Sequence, residues 1–488
     1  MAGLNRMNRA VGFIVAATLA GGACGDNHGP PPMTPDELMA KLRGLPGVTV
    51  EEGDSSENFS YYVLHFTEPV DHNDPSKGTF QQRVSLLHRN ELAPFPLIIY
   101  TSGYADSAGS EPVELTTLLD ANQVSIEHRF YGTSRPDPMD WSKLTVDQTA
   151  ADEHDIITKL HTIYEGSFLS VGESKGGTMA LIHRSMYPTD VSATVAYVTP
   201  LSLTAPDERF PPQFDLIGTS DCRAAVRGVA TEMLNRRAQM LAHAQDEAAQ
   251  NKNVYTRVQI GPAVEAAITG LEWGFWQLAG DAECGGVPPS TASDEDLYTF
   301  LHTVSPVSEY DDKHLGSYGP YYYQTYAQLG YPDYSVAYLT GQLWYGDDDY
   351  IGEFPTVAPE FDPAAMNRVQ DWLEISDTDD HDPRTGRDLG KHLMFIYGGW
   401  DPWFAGRVVT GTAGDTVTFV EGKGNHETKL ATLDEADRVQ ALAYIQRWTG
   451  VEPVFWRLDP LSTPAAHEGR AVDHAGPLLT AHARPAPR

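Results

Sequence analysis

Gly172-Glu173-Ser174-Lys175-Gly176-Gly177 joins a short apolar run, Phe168-Leu169-Ser170-Val171, to a segment with helical spacing, Lys175 to Met186. Isolated Gly/Ser patterns of this kind arise by chance and can mark a simple turn. Between a strand and a helix, a G-x-S-x-G match acquires a mechanical meaning. The glycines allow a tight turn and a close approach of neighbouring backbone, which lifts the serine Oγ out of the sheet. The helix behind it opens with unpaired N–H groups and the positive end of its dipole. Ser174 is thus a candidate nucleophile, and the N–H of Lys175 a candidate donor to an oxyanion.

Outward from this point, strands alternate with helices. Phe59 to Phe66, Phe80 to His88, Pro96 to Tyr100, Gln123 to Ile126 and Ala193 to Val198 read as strands. Pro112 to Leu119 and Thr145 to Tyr164 read as helices, the latter with Ile156, Ile157, Leu160 and Ile163 at helical spacing. Continuous apolar runs such as Pro96-Leu97-Ile98-Ile99-Tyr100 are those of strands buried on both faces. The class expected is α/β, with a mostly parallel, doubly wound sheet. From about Leu201 the pattern turns helical. Ser220 to Ala248 reads as one helix and Pro262 to Leu278 as another, before strands resume at His392 to Tyr397 and Thr416 to Val420 and a last helix at Glu435 to Trp448. The expected organisation is a sheet core in two parts, 48–200 and 391–450, interrupted by a mainly helical cap insertion at 201–390 and followed by a weakly ordered tail at 451–488, rich in Pro, Ala and His.

A hydroxyl is a poor nucleophile near neutral pH, so Ser174 needs a base, and the base needs an orienting acid. In α/β-hydrolase folds the chain order is Ser, then Asp or Glu, then His. Asp401 follows the strand ending at Tyr397, and His426 lies in Gly422-Lys423-Gly424-Asn425-His426, just past the next strand. Both fall beyond strand C-terminal ends, where catalytic groups collect in such sheets. Taken singly, Asp401-Pro402 could cap a turn and His426 could be incidental; the ordered trio is harder to obtain by chance. A second oxyanion donor is expected from the loop after Tyr100, where Gly103 can turn the N–H of Tyr104 toward the site. His128 competes as base but precedes the nucleophile, and Glu127 and Arg129 beside it read as an ion pair under the site, with substrate contact by Glu127 as the alternative.

The chain of 488 residues carries 34 Lys and Arg against 67 Asp and Glu, a net charge of −33 that disfavours nucleic acid as a partner. The N-terminus reads as an export signal. Arg6 and Arg9 precede an apolar stretch, Ala10 to Ala20, too short to span a bilayer. Gly21-Gly22-Ala23-Cys24 resembles a lipoprotein cleavage site, with Cys24 as the acylated residue, although Gly21 stands where Leu is usual. The alternative is plain secretion after cleavage near Ala23. Residues 1–24 are therefore read as signal and 25–47 as a tether, so that a membrane enters only through a lipid anchor. Cys222 and Cys284 can pair in an exported protein, although sequence does not establish their proximity. No spacing suggests zinc, and neither acidic stretch, Asp347 to Asp349 or Asp377 to Asp382, fits a calcium loop, which needs a turn glycine and a closing Glu at set spacing. No metal or cofactor is expected.

Several longer motifs carry a resemblance. Ser174-Lys175-Gly176-Gly177, the run from Glu127 to Pro136, Trp141 to Thr145, Pro320-Tyr321-Tyr322-Tyr323-Gln324, Gln328 to Pro332, Trp400-Asp401-Pro402-Trp403 and Gly424-Asn425-His426 are similar to segments of the secreted bacterial prolyl tripeptidyl aminopeptidases, serine peptidase family thirty-seven. The similarity runs from about Val48 to Gly450. It implies an α/β-hydrolase core with a helical cap, a triad at Ser174, Asp401 and His426, and release of tripeptides from free peptide N-termini, with proline favoured beside the cut bond. Trp276, Tyr322 and Tyr323 could then line a proline pocket, or equally form the core of the cap. The same triad would also serve a carboxylesterase of small acyl substrates, because fold does not set function. A non-catalytic ligand-binding lipoprotein is the third alternative.

Overall fold

The computed structural model describes residues 33–90, 95–334, 336–346, 360–374, 391–410 and 415–454. The signal segment with Cys24, the start of the tether, both acidic stretches and the tail from residue 455 lie outside the described residues.

Among the described residues nine strands form one sheet: β1 (Val48–Glu52), β2 (Phe59–Pro69), β3 (Thr79–Arg89), β4 (Leu97–Thr101), β5 (Asn122–Ile126), β6 (Phe168–Glu173), β7 (Ala193–Tyr197), β8 (Leu393–Gly398) and β9 (Thr416–Glu421). Their spatial order is β1-β2-β3-β5-β4-β6-β7-β8-β9. The pairs among β1, β2, β3 and β5 are antiparallel, and every pair from β5 through β4 to β9 is parallel. This strand order, with its antiparallel entry and the exchange of β4 and β5, is that of an α/β-hydrolase sheet. Burial on both faces explains the unbroken apolar runs. On β4, Leu97 and Ile99 join the cluster under α1 (Pro35–Arg43) and α3 (Val146–Leu160), while Ile98 and Tyr100 face the cluster of α2 (Glu114–Leu118) and helix Glu435–Thr449. On β8, Leu393, Phe395 and Tyr397 pack with α4 (Lys175–Met186), and Met394 and Ile396 point the other way.

Three expectations change. The tether holds a helix, α1, with a Thr34 capping box and with Leu38 and Leu42 fully buried, so the chain is anchored to the sheet well before residue 48. β1 is an edge strand whose Glu51 and Glu52 are turned to solvent, which hides it from an apolar pattern. The long helix expected over Ser220 to Ala248 is two, α6 (Ser220–Asn235) and α7 (Arg237–Asn251). Arg236 breaks it: its backbone leaves the helical region while its guanidinium ties Glu232, Asp294 and the carbonyls of Ser290 and Ala292.

Between β7 and β8 lie α5 (Phe210–Phe214), α6, α7, α8 (Ile260–Gly274), α9 (Asp294–Val304), α10 (Asp312–Gln324) and helix Ala364–Glu374. Most of them share a core built on Trp273, Phe275, Trp276, Leu271, Leu297 and Leu301, which also takes in Trp403 from beyond β8. Cys222 and Cys284 form a disulfide in this region, with Cα atoms 5.6 Å apart. Among the described residues no helix is long and apolar enough to cross a membrane.

Candidate active site

Ser174 stands between the last residue of β6 and the first of α4, at φ 52° and ψ −125°. A non-glycine residue at positive φ costs about 1–3 kcal/mol and persists only where its surroundings enforce it. Here they do so by close packing. A Cβ on Gly172 would come within 2.4 Å of the Gly176 backbone, and one on Gly176 within 2.3 Å of the Thr101 carbonyl. The Ser174 N–H donates to the Tyr197 carbonyl at 2.9 Å, which fixes the turn to the neighbouring strand.

Asp401 follows β8 and is fully buried. It does both things its sequence context allowed. Its Oδ1 caps the short turn Pro402–Gly406 by accepting from the Trp403 N–H at 3.0 Å, and its Oδ2 lies 2.6 Å from His426 Nδ1. His426, past the end of β9, is held by its own backbone, whose N–H donates to the Gln277 carbonyl at 2.9 Å. Asn425 Nδ2 donates to the Leu278 carbonyl at 2.6 Å. Both carbonyls belong to a π-helical turn, Phe275–Ala279, that continues α8. The helical region thus clasps the histidine loop. With Nδ1 committed to the carboxylate, His426 has Nε2 for proton exchange.

Ser174 lines a cleft of about 500 Å³, open mouth included, together with Tyr104, Lys175, Gln277, Tyr321 and Trp403. Lys175 and Tyr104 therefore stand beside the serine. The Lys175 ammonium is buried, bonds the Gly103 carbonyl, and lies 4.8 Å from the Tyr104 ring centroid and 5.0 Å from that of Tyr131. Pinning that carbonyl orients the peptide plane that carries the Tyr104 N–H, which has a long contact of 3.3 Å to Ser102 Oγ. Gly103, at φ 74°, has no room for a side chain because a Cβ would lie 2.6 Å from the Gly176 nitrogen.

Other expectations are corrected. Glu127 is buried away from the cleft wall; it accepts from the amides of Asp106, Thr133 and Ser134 and from Ser134 Oγ, so it organises the loop after β5. Its expected ion pair with Arg129 does not form. Arg129 makes a two-pronged pair with Asp152, at 2.7 and 2.6 Å, and donates to the carbonyls of Val70, Lys143 and Pro69. His128 is no base: Nδ1 donates to the Arg129 carbonyl at 2.6 Å, and burial, reinforced by the Lys175 charge, holds it well below the ordinary histidine range. Trp276, Tyr322 and Tyr323 are packed into hydrophobic clusters and do not line the cleft; Tyr321, Trp403 and Gln277 do. Gln277 escaped notice, although a single amide within Trp273-Gly274-Phe275-Trp276-Gln277-Leu278 was a usable signal.

Two further carboxylate groups sit on α3 or pack against it. Glu153 accepts from Thr101 Oγ1 at 3.2 Å, and burial pushes it up to about 8. Glu68, His72 and Asp152 bring three potential ligand atoms within 4.8 Å of one another, the one such group among the described residues. The Arg129 guanidinium on Asp152 and the Lys159 ammonium, 3.7 Å from Glu68, already supply positive charge there.

A serine on a strand-to-helix elbow, followed in chain order by an aspartate and a histidine past the parallel strands β8 and β9, defines a serine hydrolase of the α/β-hydrolase fold. The chain belongs to the PS-10 peptidase S37 family, whose model matches residues 34–473, and it is a serine peptidase. It is 34% identical over 424 residues to the prolyl tri/tetrapeptidyl aminopeptidase of Streptomyces mobaraensis, with 86% of each chain covered. Similar solved structures include a proline iminopeptidase from Mycobacterium smegmatis (13% identity, TM-score 0.35, covering 78% of this chain and 96% of that one). A peroxisomal α/β-hydrolase from Saccharomyces cerevisiae is another, at 10% identity and TM-score 0.33, covering 81% of this chain and 89% of that one.

Proposed function

We propose that the protein is an exported aminopeptidase that releases short peptides, three or four residues long, from free peptide N-termini, with proline favoured beside the cut bond. The substrate class follows the S. mobaraensis relative. The observation that carries the chemistry is the 2.6 Å contact between His426 Nδ1 and the fully buried Asp401, past the ends of β9 and β8 in the same sheet whose β6 leads into Ser174. His426 takes the Ser174 proton as Oγ attacks the scissile carbonyl, and Asp401 holds the imidazole in its tautomer and balances its charge. The N–H groups of Lys175 and Tyr104 receive the oxyanion, each with an effect on the order of 10²–10³ in rate. An anionic oxygen is a stronger acceptor than Ser102 Oγ and displaces that 3.3 Å contact. His426 then protonates the leaving amine, and water attacks the acyl-enzyme by the same route in reverse.

Export is supported by the signal-like residues 1–24 and by the Cys222–Cys284 disulfide, a bond suited to oxidising compartments. Acylation of Cys24 would anchor the protein, and Cys24→Ala would release it to the soluble fraction. The substrate claim is tested by mass spectrometry of products from peptides with free and acetylated N-termini. Acetylation is expected to lower kcat/KM by at least about 10-fold. Equal turnover would move the assignment to an endopeptidase.

A further inference from the structure

Gln277 is 4% exposed and sits on the π-helical turn after α8, against the cleft that holds Ser174. Its side-chain oxygen has two partners. Trp273 Nε1 lies 2.8 Å from Oε1, and Trp403 Nε1 lies 3.3 Å from the same atom. An indole N–H can only donate, so both tryptophans require the oxygen and neither could face the NH₂. The usual ambiguity of an amide's orientation is removed by chemistry. With Oε1 turned into the two indoles, Nε2 is directed the other way, and it has no acceptor among the described residues.

We infer that Gln277 Nε2 is a substrate-recognition donor that binds a backbone carbonyl of the peptide in the cleft. The chemistry of the ligand fits the donor. A proline-containing segment lacks an N–H at each proline but keeps every carbonyl, so it presents more acceptors than donors. Donors fixed among aromatic rings suit such a segment, and Tyr104, Tyr321 and Trp403 stand around this one. The π turn places the amide there while its backbone carbonyl holds the His426 N–H, so one residue serves both the histidine and the substrate.

This inference rests on the proposed peptide substrate, and its test separates the two. Gln277→Glu keeps an acceptor for both indoles but replaces the donor; Gln277→Met removes the donor without adding charge, together with the oxygen that the indoles use, so the two variants are read as a pair. Both are expected to lose at least about 10-fold in kcat/KM on a proline-containing peptide that the wild type cleaves. A small fluorophosphonate has no peptide carbonyl, and its rate of reaction with Ser174 is expected to stay within about 3-fold of wild type, which also reports a folded site. Wild-type kcat/KM in both variants would overturn the inference and leave the substrate assignment standing. So would a parallel loss of fluorophosphonate reactivity, because Gln277 would then act only by holding His426. Failure of the wild type to cleave any such peptide would overturn both.

Discussion

The ends of β6 and β8 and the helices between β7 and β8 supply residues to one cleft, Ser174, Trp403, Gln277 and Tyr321 among them, by different physical routes. At the strand ends, each functional side chain is placed by local rules: a glycine-bounded elbow for Ser174, a capped turn for Asp401, and a loop for His426 one strand further on. In the helical region no local rule aims a residue at Ser174. Gln277 reaches the cleft because Trp273 precedes it by one turn and Trp403 arrives from beyond β8, so its placement is a product of tertiary packing. On the reading proposed above, chemistry belongs to the sheet, and recognition to a wall assembled from distant segments.

Substitution at the strand ends should give the largest effects. Ser174→Ala is expected to reduce peptide turnover on the order of 10⁴-fold or more, with the unfolding midpoint essentially unchanged. A variant that keeps a few per cent of the rate would remove Ser174 from the mechanism. Asp401→Asn retains the Oδ1 that caps Trp403 but favours the wrong histidine tautomer, and should cost about 10³–10⁴ in kcat. A loss below about 10-fold would mean that capping is the main work of this residue.

The helical region is probed through its disulfide, which closes a sequence separation of 62 residues between α6 and the segment after the π turn. Loop-closure entropy puts the stabilisation at about 4 kcal/mol. The Cys222→Ser/Cys284→Ser variant should melt at lower temperature and lose peptide turnover on warming before it loses fluorophosphonate labelling. Simultaneous loss of both readouts would show that the wall and the sheet unfold as one unit.

The smallest effect concerns the support beneath the elbow. Glu153, raised by burial to about 8 from 4.5, keeps its proton in the folded state where the unfolded chain releases it. Its contribution is therefore complete below about pH 4.5 and declines as pH rises toward 8. Glu153→Gln keeps an acceptor for Thr101 and should flatten that decline, by an amount on the order of a few kcal/mol across the window. Denaturant midpoints at pH 5 and pH 8 measure it, and identical slopes in variant and wild type would contradict the buried proton.

The same contrast explains what was legible in the sequence. Strands buried on both faces announce themselves as apolar runs, and Ser174, Asp401 and His426 stand out as candidates at fixed offsets from them; of the three, the structure brings Asp401 and His426 into contact. Aromatic residues in the helical region carried no comparable address. Trp276, Tyr321, Tyr322 and Tyr323 all pack into clusters, and of the four it is Tyr321 that also lines the cleft. Periodicity says which residues share a helical face, not which face borders solvent. Arg129 differs from expectation for a related reason: an ion pair depends on the partner that folding brings alongside, and α3 brings Asp152 to its guanidinium.

The spacing of the triad along the chain has a bearing on biosynthesis. When a nascent chain has been made as far as the helices after β7, the elbow with Ser174 is already encoded in it, yet the strands that carry the acid and the base have not been synthesised. Contacts of long sequence separation form late, and β8 must enter the sheet beside β7 across the whole helical region. Incomplete polypeptide therefore holds a serine with no base to activate it. A fragment that ends before β8 thus lacks both the Asp401 and the His426 candidates that the whole chain carries.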